Sequence, residues 1–382
     1  MSTRTETTQK PSKTILCLNS PDGDSIREVL NTPPRPCTPG EIPCIDLTGL
    51  GGTDIKDLHR IAREINTAAI TSGVFYIKNH GISQDVIEEA RLKSLEFFRP
   101  PMEEKWKVER SNFNHHNGWT APGNARANAS EGADVKEQFR WHYSPNDDPA
   151  YDHLAKPIPL SSLPSEVQPY IWADERIWEK TAHLPGFNEA AKAWWRASMQ
   201  LARNLTKAVA VALDMPADGM DDLITYPCGD MALNFYPSAQ TQNKTKADTS
   251  ELYQGGLGSH TDLQCFTILF QDHIGGLQVL NKDGQWIEAL PLEDTLVVNI
   301  GDFLSRLTND KWESTVHRVE VNQTNEDRIS MPLFFGFNLN KQCAVLPTCT
   351  DKNNPPKYAP LSCGEWTEMK LRRSYAKTGR NT

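Results

Sequence analysis

The chain has 382 residues, 38% of them hydrophobic, a formal charge of −9 at pH 7 and a pI near 5.6. That length can bury one large core with terminal embellishments; the acidic balance argues against a nucleic-acid partner, and no apolar run reaches the length of a membrane span. Eight cysteines without a C-x-x-C pair, and an N-terminus without an apolar signal core, lead to the expectation of reduced thiols and a cytoplasmic location.

In chain order, residues 1–41 are polar, contain Pro33-Pro34-Arg35-Pro36 and read as an extended or disordered arm. A strand at Ile45–Leu47 leads to a helix over about 54–71, with Leu58, Ile61, Ile65 and Ala68 on one face. The strand Val74–Lys78 follows, and then Ser83 is placed to cap a helix that Pro100-Pro101 ends after about Arg99. Residues 111–135, rich in Asn, Gly and Ala, read as a long loop suited to a lid. A helix over about 188–214 carries Leu201, Leu205, Val209 and Leu213 at four-residue spacing. From about Leu233 to Val345 short strands alternate with turn signals such as Lys282-Asp283-Gly284, the pattern of a double-stranded β-helix, or jelly roll. After Pro355-Pro356, residues 363–376 read as a helix with Trp366, Met369, Leu371 and Tyr375 available for packing. The expected division is a polar arm (1–41), a mixed α/β region with the lid loop (42–220), a jelly-roll core (221–345) and a helical extension (346–382). The fold class is mainly β with flanking helices around a cupin-like core.

The residues that point to chemistry lie in the strand-rich part. His260 and Asp262 are two apart in a segment that runs into Phe266-Thr267-Ile268-Leu269-Phe270, so in a strand both face one side. His317 sits in Val316-His317-Arg318-Val319-Glu320-Val321 and shares a face with Val319 and Val321. Two imidazoles and one carboxylate with open positions opposite are the facial triad of non-heme Fe(II) sites, whereas three histidines or a cysteine-rich set would suggest zinc. Eleven residues beyond His317, Arg328 and Ser330 share a face, a fork and a hydroxyl suited to a carboxylate. Upstream, Ala232, Asn234 and Tyr236 alternate on one side of a further strand. Each has a plainer reading: a lone His-x-Asp is commonly a surface or satisfied core pair, Arg328 a surface ion pair, and Tyr236 a core tyrosine. Asp302 fits turn chemistry after Gly301 and is left out of the site. His80, the His115-His116 pair and His273 read as turn or loop residues.

Taken together, Asn234-Phe235-Tyr236-Pro237, His260-Thr261-Asp262, Val298-Asn299-Ile300-Gly301-Asp302, His317-Arg318-Val319 and Arg328-Ile329-Ser330 resemble the isopenicillin N synthase-like branch of the 2-oxoglutarate/Fe(II)-dependent dioxygenases. Ile45-Asp46-Leu47, Gly73 to Ile82 and Lys136-Glu137-Gln138-Phe139 extend the likeness over most of residues 42–345. The resemblance implies that His260, Asp262 and His317 bind Fe(II). It also implies that Arg328 and Ser330, helped by Tyr236, hold the far carboxylate of 2-oxoglutarate, with Asn234 near the chelating end. Oxygen would be the co-oxidant and ascorbate a supporting reductant. An Fe(IV)-oxo intermediate would then drive hydroxylation, desaturation or ring-forming oxidation of a small, specialised metabolite.

Three alternatives stay open at this point. One is an oxidase of the isopenicillin N synthase or aminocyclopropane-carboxylate oxidase type, which uses no 2-oxoglutarate. Another is a zinc hydrolase on the same three ligands, and the third a non-catalytic small-molecule-binding protein. For the substrate, Phe334 and Pro332 fall on the face of Ser330 and suggest an apolar or aromatic molecule, with Ala232 leaving room for bulk. Trp119, Arg126 and Arg140 are further contacts to test, and a monomer or homodimer is expected.

Overall fold

The computed structural model describes residues 11–378 apart from 129, 155 and 246–252, and within its helices and strands the side chains of residues 243–254 and 374–378, Tyr375 among them, lie outside the described set. Two sheets dominate. The larger has eight strands in the order Cys44–Asp46, Val74–Lys78, Thr295–Ile300, Phe266–Gln271, Arg328–Asn338, Pro227–Tyr236, Glu137–His142 and Gly118–Thr120. The smaller has five, Leu257–His260, His317–Val319, Leu277–Leu280, Trp286–Glu288 and Arg35–Pro36. The architecture is mainly β with flanking helices about a jelly-roll core.

Period-two alternation decides what each face of the larger sheet does. On Arg328–Asn338, the residues Ile329, Met331, Leu333 and Phe335 join the main apolar cluster with the helices, while Arg328, Ser330, Pro332 and Phe334 take the opposite, inner face. The helix Phe187–Ala212 lies in that same cluster, burying Trp194, Trp195, Met199, Leu201, Leu205 and Val209. Two further helices, Ile55–Thr71 and Gln84–Phe98, start where the sequence marks them. Asp54 caps the first by accepting from the Lys56 amide, and Ser83 caps the second by accepting from Asp85.

The structure departs from the sequence reading in three places. Residues 13–36, read as an arm, form a hairpin of Lys13–Ser20 and Gly23–Leu30 followed by the strand Arg35–Pro36. Leu18 and Val29 bury themselves against Leu280, Trp286 and Val316. That small apolar face is interleaved with polar residues and was masked by the prolines nearby. Second, four strands of the larger sheet come from residues 44–142, so the barrel is not built from 221–345 alone. Local patterning marks a strand, but not the sheet it joins. Third, the expected lid loop 111–135 contains the edge strand Gly118–Thr120 and the short strand Ala133–Asp134, which pairs in parallel with Tyr253–Gly255.

Candidate metal centre and cosubstrate seat

His260 and His317 are brought face to face by the pairing of Leu257–His260 with His317–Val319, in which the two histidines are direct partners. Their ring centroids stand 4.3 Å apart. Asp262 completes the group: its Oδ1 lies 3.6 Å from His260 Nε2 and 3.7 Å from His317 Nε2. The three ligand atoms all fall within 4.8 Å of one another. Each imidazole uses Nδ1 on a backbone carbonyl, His260 on Gly258 at 2.7 Å and His317 on Thr315 at 3.1 Å. A proton on Nδ1 leaves Nε2 as a lone-pair donor, the tautomer a metal needs. Burial and the neighbouring His260 push the His317 imidazole down, which favours the neutral form.

Asp262 is fixed from behind. Its Oδ2 accepts from Thr267 Oγ1 at 2.5 Å and from Asn299 Nδ2 at 2.8 Å. Burial alone would raise this carboxyl, but His317, His260 and the Thr267 hydroxyl hold it below the usual carboxylate range. Asp302 stands one layer out, accepting from Thr261 and Ser314, while its amide donates to the Asp262 carbonyl at 2.7 Å. It shapes the loop and does not face the ligand atoms. Of the other histidines, His80 closes a turn by accepting from the Ile82 amide, His115 stacks on Trp172, and His273 is exposed beside Glu326.

A second group lies along the inner face of the larger sheet. Arg328 is paired directly with Tyr236, and Ser330 with Asn234, so the four side chains form one patch. The Arg328 guanidinium is almost wholly buried, sits 4.6 Å over the Tyr236 ring and donates through Nε to the Gly275 carbonyl. Gly275 and Gly276 have φ of +76° and +88°, a backbone that glycine adopts without strain and that turns this carbonyl toward the arginine. Arg328 Nη1 and Tyr236 Oη are buried without a hydrogen-bond partner. Thr267, which touches Asp262, and Gln271, which touches Arg328, are four residues apart on one strand, roughly 13 Å of its length. The donor sets fit the two groups that the motifs imply: two imidazoles and a carboxylate for Fe(II), and an orphaned guanidinium donor beside a phenol for a carboxylate.

On the substrate side, Phe334 is half-buried on the inner face, between Thr267 and Asp230 in the register. Ala232 is fully buried on the same face opposite Arg140. Arg140 forms an ion pair with Asp230, whose other oxygen lies 3.0 Å from His142 Nε2. The face beyond Phe334 is therefore more polar than the apolar surroundings expected from Phe334 and Pro332. Trp119 does not join it. As the partner of Phe139 on the edge strand, it points to the helix side, is fully buried, and donates from Nε1 to Glu137 at 2.8 Å. The alternation that puts Thr120 inward puts Trp119 outward, a choice that a segment read as loop could not reveal. Arg126 is exposed. Sequence reasoning missed Thr267, Asn299, Lys136, Asp230 and His142; the available signal was alternation, since Lys136, Gln138, Arg140 and His142 are two apart on one strand and its approach.

Comparison with known proteins identifies the family. Residues 42–160 match the family model for the non-haem dioxygenase in morphine synthesis N-terminal region, and residues 227–337 match that of the 2OG-Fe(II) oxygenase superfamily. The chain is 40% identical over 371 residues to the 2-oxoglutarate-Fe(II) type oxidoreductase ppzC of Metarhizium rileyi, covering 97% of each chain. It is 27% identical to full-length Neurospora crassa T7H solved with alpha-KG, at a TM-score of 0.67 over 87% of this chain and 96% of that one. A 2OG-Fe(II) oxygenase family protein from Caulobacter crescentus is 25% identical, with the same TM-score, over 88% of this chain and 100% of its own. No described helix is long and apolar enough to cross a membrane. The chain belongs to the 2OG-Fe(II) oxygenase superfamily and is a 2-oxoglutarate- and Fe(II)-dependent dioxygenase of its isopenicillin N synthase-like class.

Proposed function

We propose that His260, Asp262 and His317 hold the Fe(II), that Arg328, Ser330 and Tyr236 grip the distal carboxylate of 2-oxoglutarate with Asn234 toward its keto-acid end, and that the enzyme oxidises a small metabolite carrying a polar group. The observation that carries this reading is the pair of orphaned buried atoms, Arg328 Nη1 and Tyr236 Oη, on the inner face of the larger sheet, whose neighbouring strand joins Asp262 through Thr267. Unpaired donors at such depth are costly unless a ligand completes them. Fe(II) with 2-oxoglutarate supplies the oxygen-activating chemistry when bound. The chain's own residues orient and exclude: Thr267 and Asn299 fix which carboxylate oxygen of Asp262 is free, and Gly275 anchors Arg328.

For the substrate, Phe334 offers an aromatic surface, and Arg140, braced by Asp230 and His142, offers a guanidinium that receives an oxygen acceptor. The T7H structure with alpha-KG and thymine supports a substrate of small-molecule size. Hydroxylation, desaturation and oxidative ring formation all begin from the same hydrogen abstraction, and the substrate decides among them. The test is metabolite profiling with the full-length protein under aerobic Fe(II), ascorbate and 2-oxoglutarate, measuring succinate alongside. One succinate per product is expected; turnover without succinate would replace this reading with a 2-oxoglutarate-independent oxidase. Arg328→Ala is expected to raise the 2-oxoglutarate requirement by about tenfold or more, and an unchanged requirement would remove Arg328 from the seat.

A further inference from the structure

Lys136 is the buried charge that the metal centre and the arginine clamp leave unexplained. It precedes the strand Glu137–His142 and falls on its inward face, in phase with Gln138 and Arg140, whereas Glu137 turns outward to Lys105 and Trp119. The residue is more than nine-tenths buried. Its Nζ donates to Asn234 Oδ1 at 2.9 Å, and among the described residues no carboxylate pairs with it. The neighbouring carboxylates, Asp134 and Asp262, attract it from a distance, and neither forms an ion pair with it. Asp134 is engaged by the Gly258 and Ala127 amides, Asp262 by Thr267 and Asn299, and Arg140 and Arg328 add like charge. A buried ammonium in that position costs several kcal/mol without an anion, and burial pushes it down to about 8. A divalent metal at the adjoining triad makes the surroundings more positive still.

Asn234 shows where the missing anion goes. Its Oδ1 takes Lys136 and Gln138, while its Nδ2 points to Ser330 Oγ at 3.4 Å, so the lysine is joined to the proposed cosubstrate seat through a single amide. We propose that Lys136 is a further 2-oxoglutarate-binding residue, its ammonium pairing with the carboxylate at the metal-chelating end while Arg328 holds the other. This rests on the assignment of Arg328 and Ser330 to the cosubstrate. The seat then has one fixed cation per carboxylate, and the dianion neutralises a lysine that the ligand-free protein leaves unpaired.

The test is calorimetric titration of 2-oxoglutarate into the Mn(II)-loaded full-length protein without oxygen, for wild type, Lys136→Met, Lys136→Gln, Lys136→Arg and Arg328→Met. The two neutral variants at 136 are expected to weaken binding by roughly ten- to a hundredfold, the range for a lost hydrogen bond to a charged group. Lys136→Arg should recover part of that loss. Thermal melting of ligand-free Lys136→Met should match or exceed wild type, because an unpaired buried charge has gone; a merely structural lysine would lower it and leave the affinity alone. Wild-type affinity in Lys136→Met and Lys136→Gln, with binding lost in Arg328→Met, overturns the inference and leaves the seat intact. Wild-type affinity in Arg328→Met as well overturns the seat itself. Should Lys136→Met fail to fold, Lys136→Gln, which keeps a donor for Asn234, decides the matter alone.

Discussion

At the metal end, one oxygen of Asp262 is committed before any ion arrives. Thr267 and Asn299 both donate to Oδ2, which leaves Oδ1 facing the two imidazoles. Asn299→Leu removes one of these donors at nearly constant volume and frees the carboxylate to rotate. Iron affinity is expected to fall about ten- to a hundredfold, the usual effect of losing a partner behind a ligand, and anaerobic Fe(II) titration checks it; unchanged affinity would mean Thr267 suffices. The ligands themselves were legible from their residue types and spacing, although the strand Leu257–His260 ends at the histidine and Asp262 reaches the site from the loop beyond it, not from a shared strand face. Thr267 and Asn299 were not, since they are direct partners across two strands and their shared target depends on a register that no local pattern states. Trp119 went wrong for a related reason: a residue type suited to a binding pocket turned out to face the helices. Trp119→Phe should cost about 1–3 kcal/mol of stability by leaving the buried Glu137 one donor short, with the KM for substrate unchanged; a raised KM with normal stability would return it to the pocket.

Among the elements, the helices were the most readable, because capping residues announce their starts. Asp54 and Ser83 do so at Ile55–Thr71 and Gln84–Phe98. The C-terminal helix Cys363–Thr378 carries a reciprocal cap of the same kind: Ser362 Oγ accepts from the Glu365 amide at 3.1 Å, and Glu365 Oε2 accepts from the Ser362 amide at 2.9 Å. Ser362→Ala should lower stability by about 1 kcal/mol, read as a shift of the denaturation midpoint with no change in its slope. The strands were readable as strands but not as neighbours. Val74–Lys78 pairs with Thr295–Ile300, more than 200 residues further on, and carries Cys44–Asp46 on its other edge; chain order gives no hint of that. The same blindness affected the hairpin at 13–30, whose buried face needs Leu280, Trp286 and Val316 to become a face at all.

In the whole molecule, the hairpin Lys13–Leu30 and the helix Cys363–Thr378 meet beside the metal loop. The helix Cys363–Thr378 lies over the residues that follow Asp262: Trp366 Nε1 donates to the Leu263 carbonyl at 2.8 Å, and Gln264 Nε2 donates to Thr367 Oγ1 at 3.0 Å. From the other side, Lys370 reaches the Asn19 carbonyl and Arg373 pairs with Asp24, so the N-terminal hairpin is tied to that helix. Within the loop, the carbonyls of Asp262 and Leu263 also receive the Asp302 and Phe303 amides. The ligand-bearing loop is thus clamped between the C-terminal helix and the segment 301–303. Trp366 is 1% exposed and packs against Phe303 at 6.0 Å between ring centroids, so Trp366→Ala removes both the packing and the hydrogen bond to Leu263. The cost in stability is expected at about 3–5 kcal/mol. If the helix positions the metal loop, the loss appears a second time, as weaker Fe(II) binding measured at a temperature where both proteins remain folded. Trp366→Phe, which keeps most of the packing but not the donor, separates the two contributions. It should retain most of the stability and still bind iron less tightly. Wild-type iron affinity in both variants would show that the 301–303 segment alone fixes Asp262, and that the helix stabilises the fold without reaching the site.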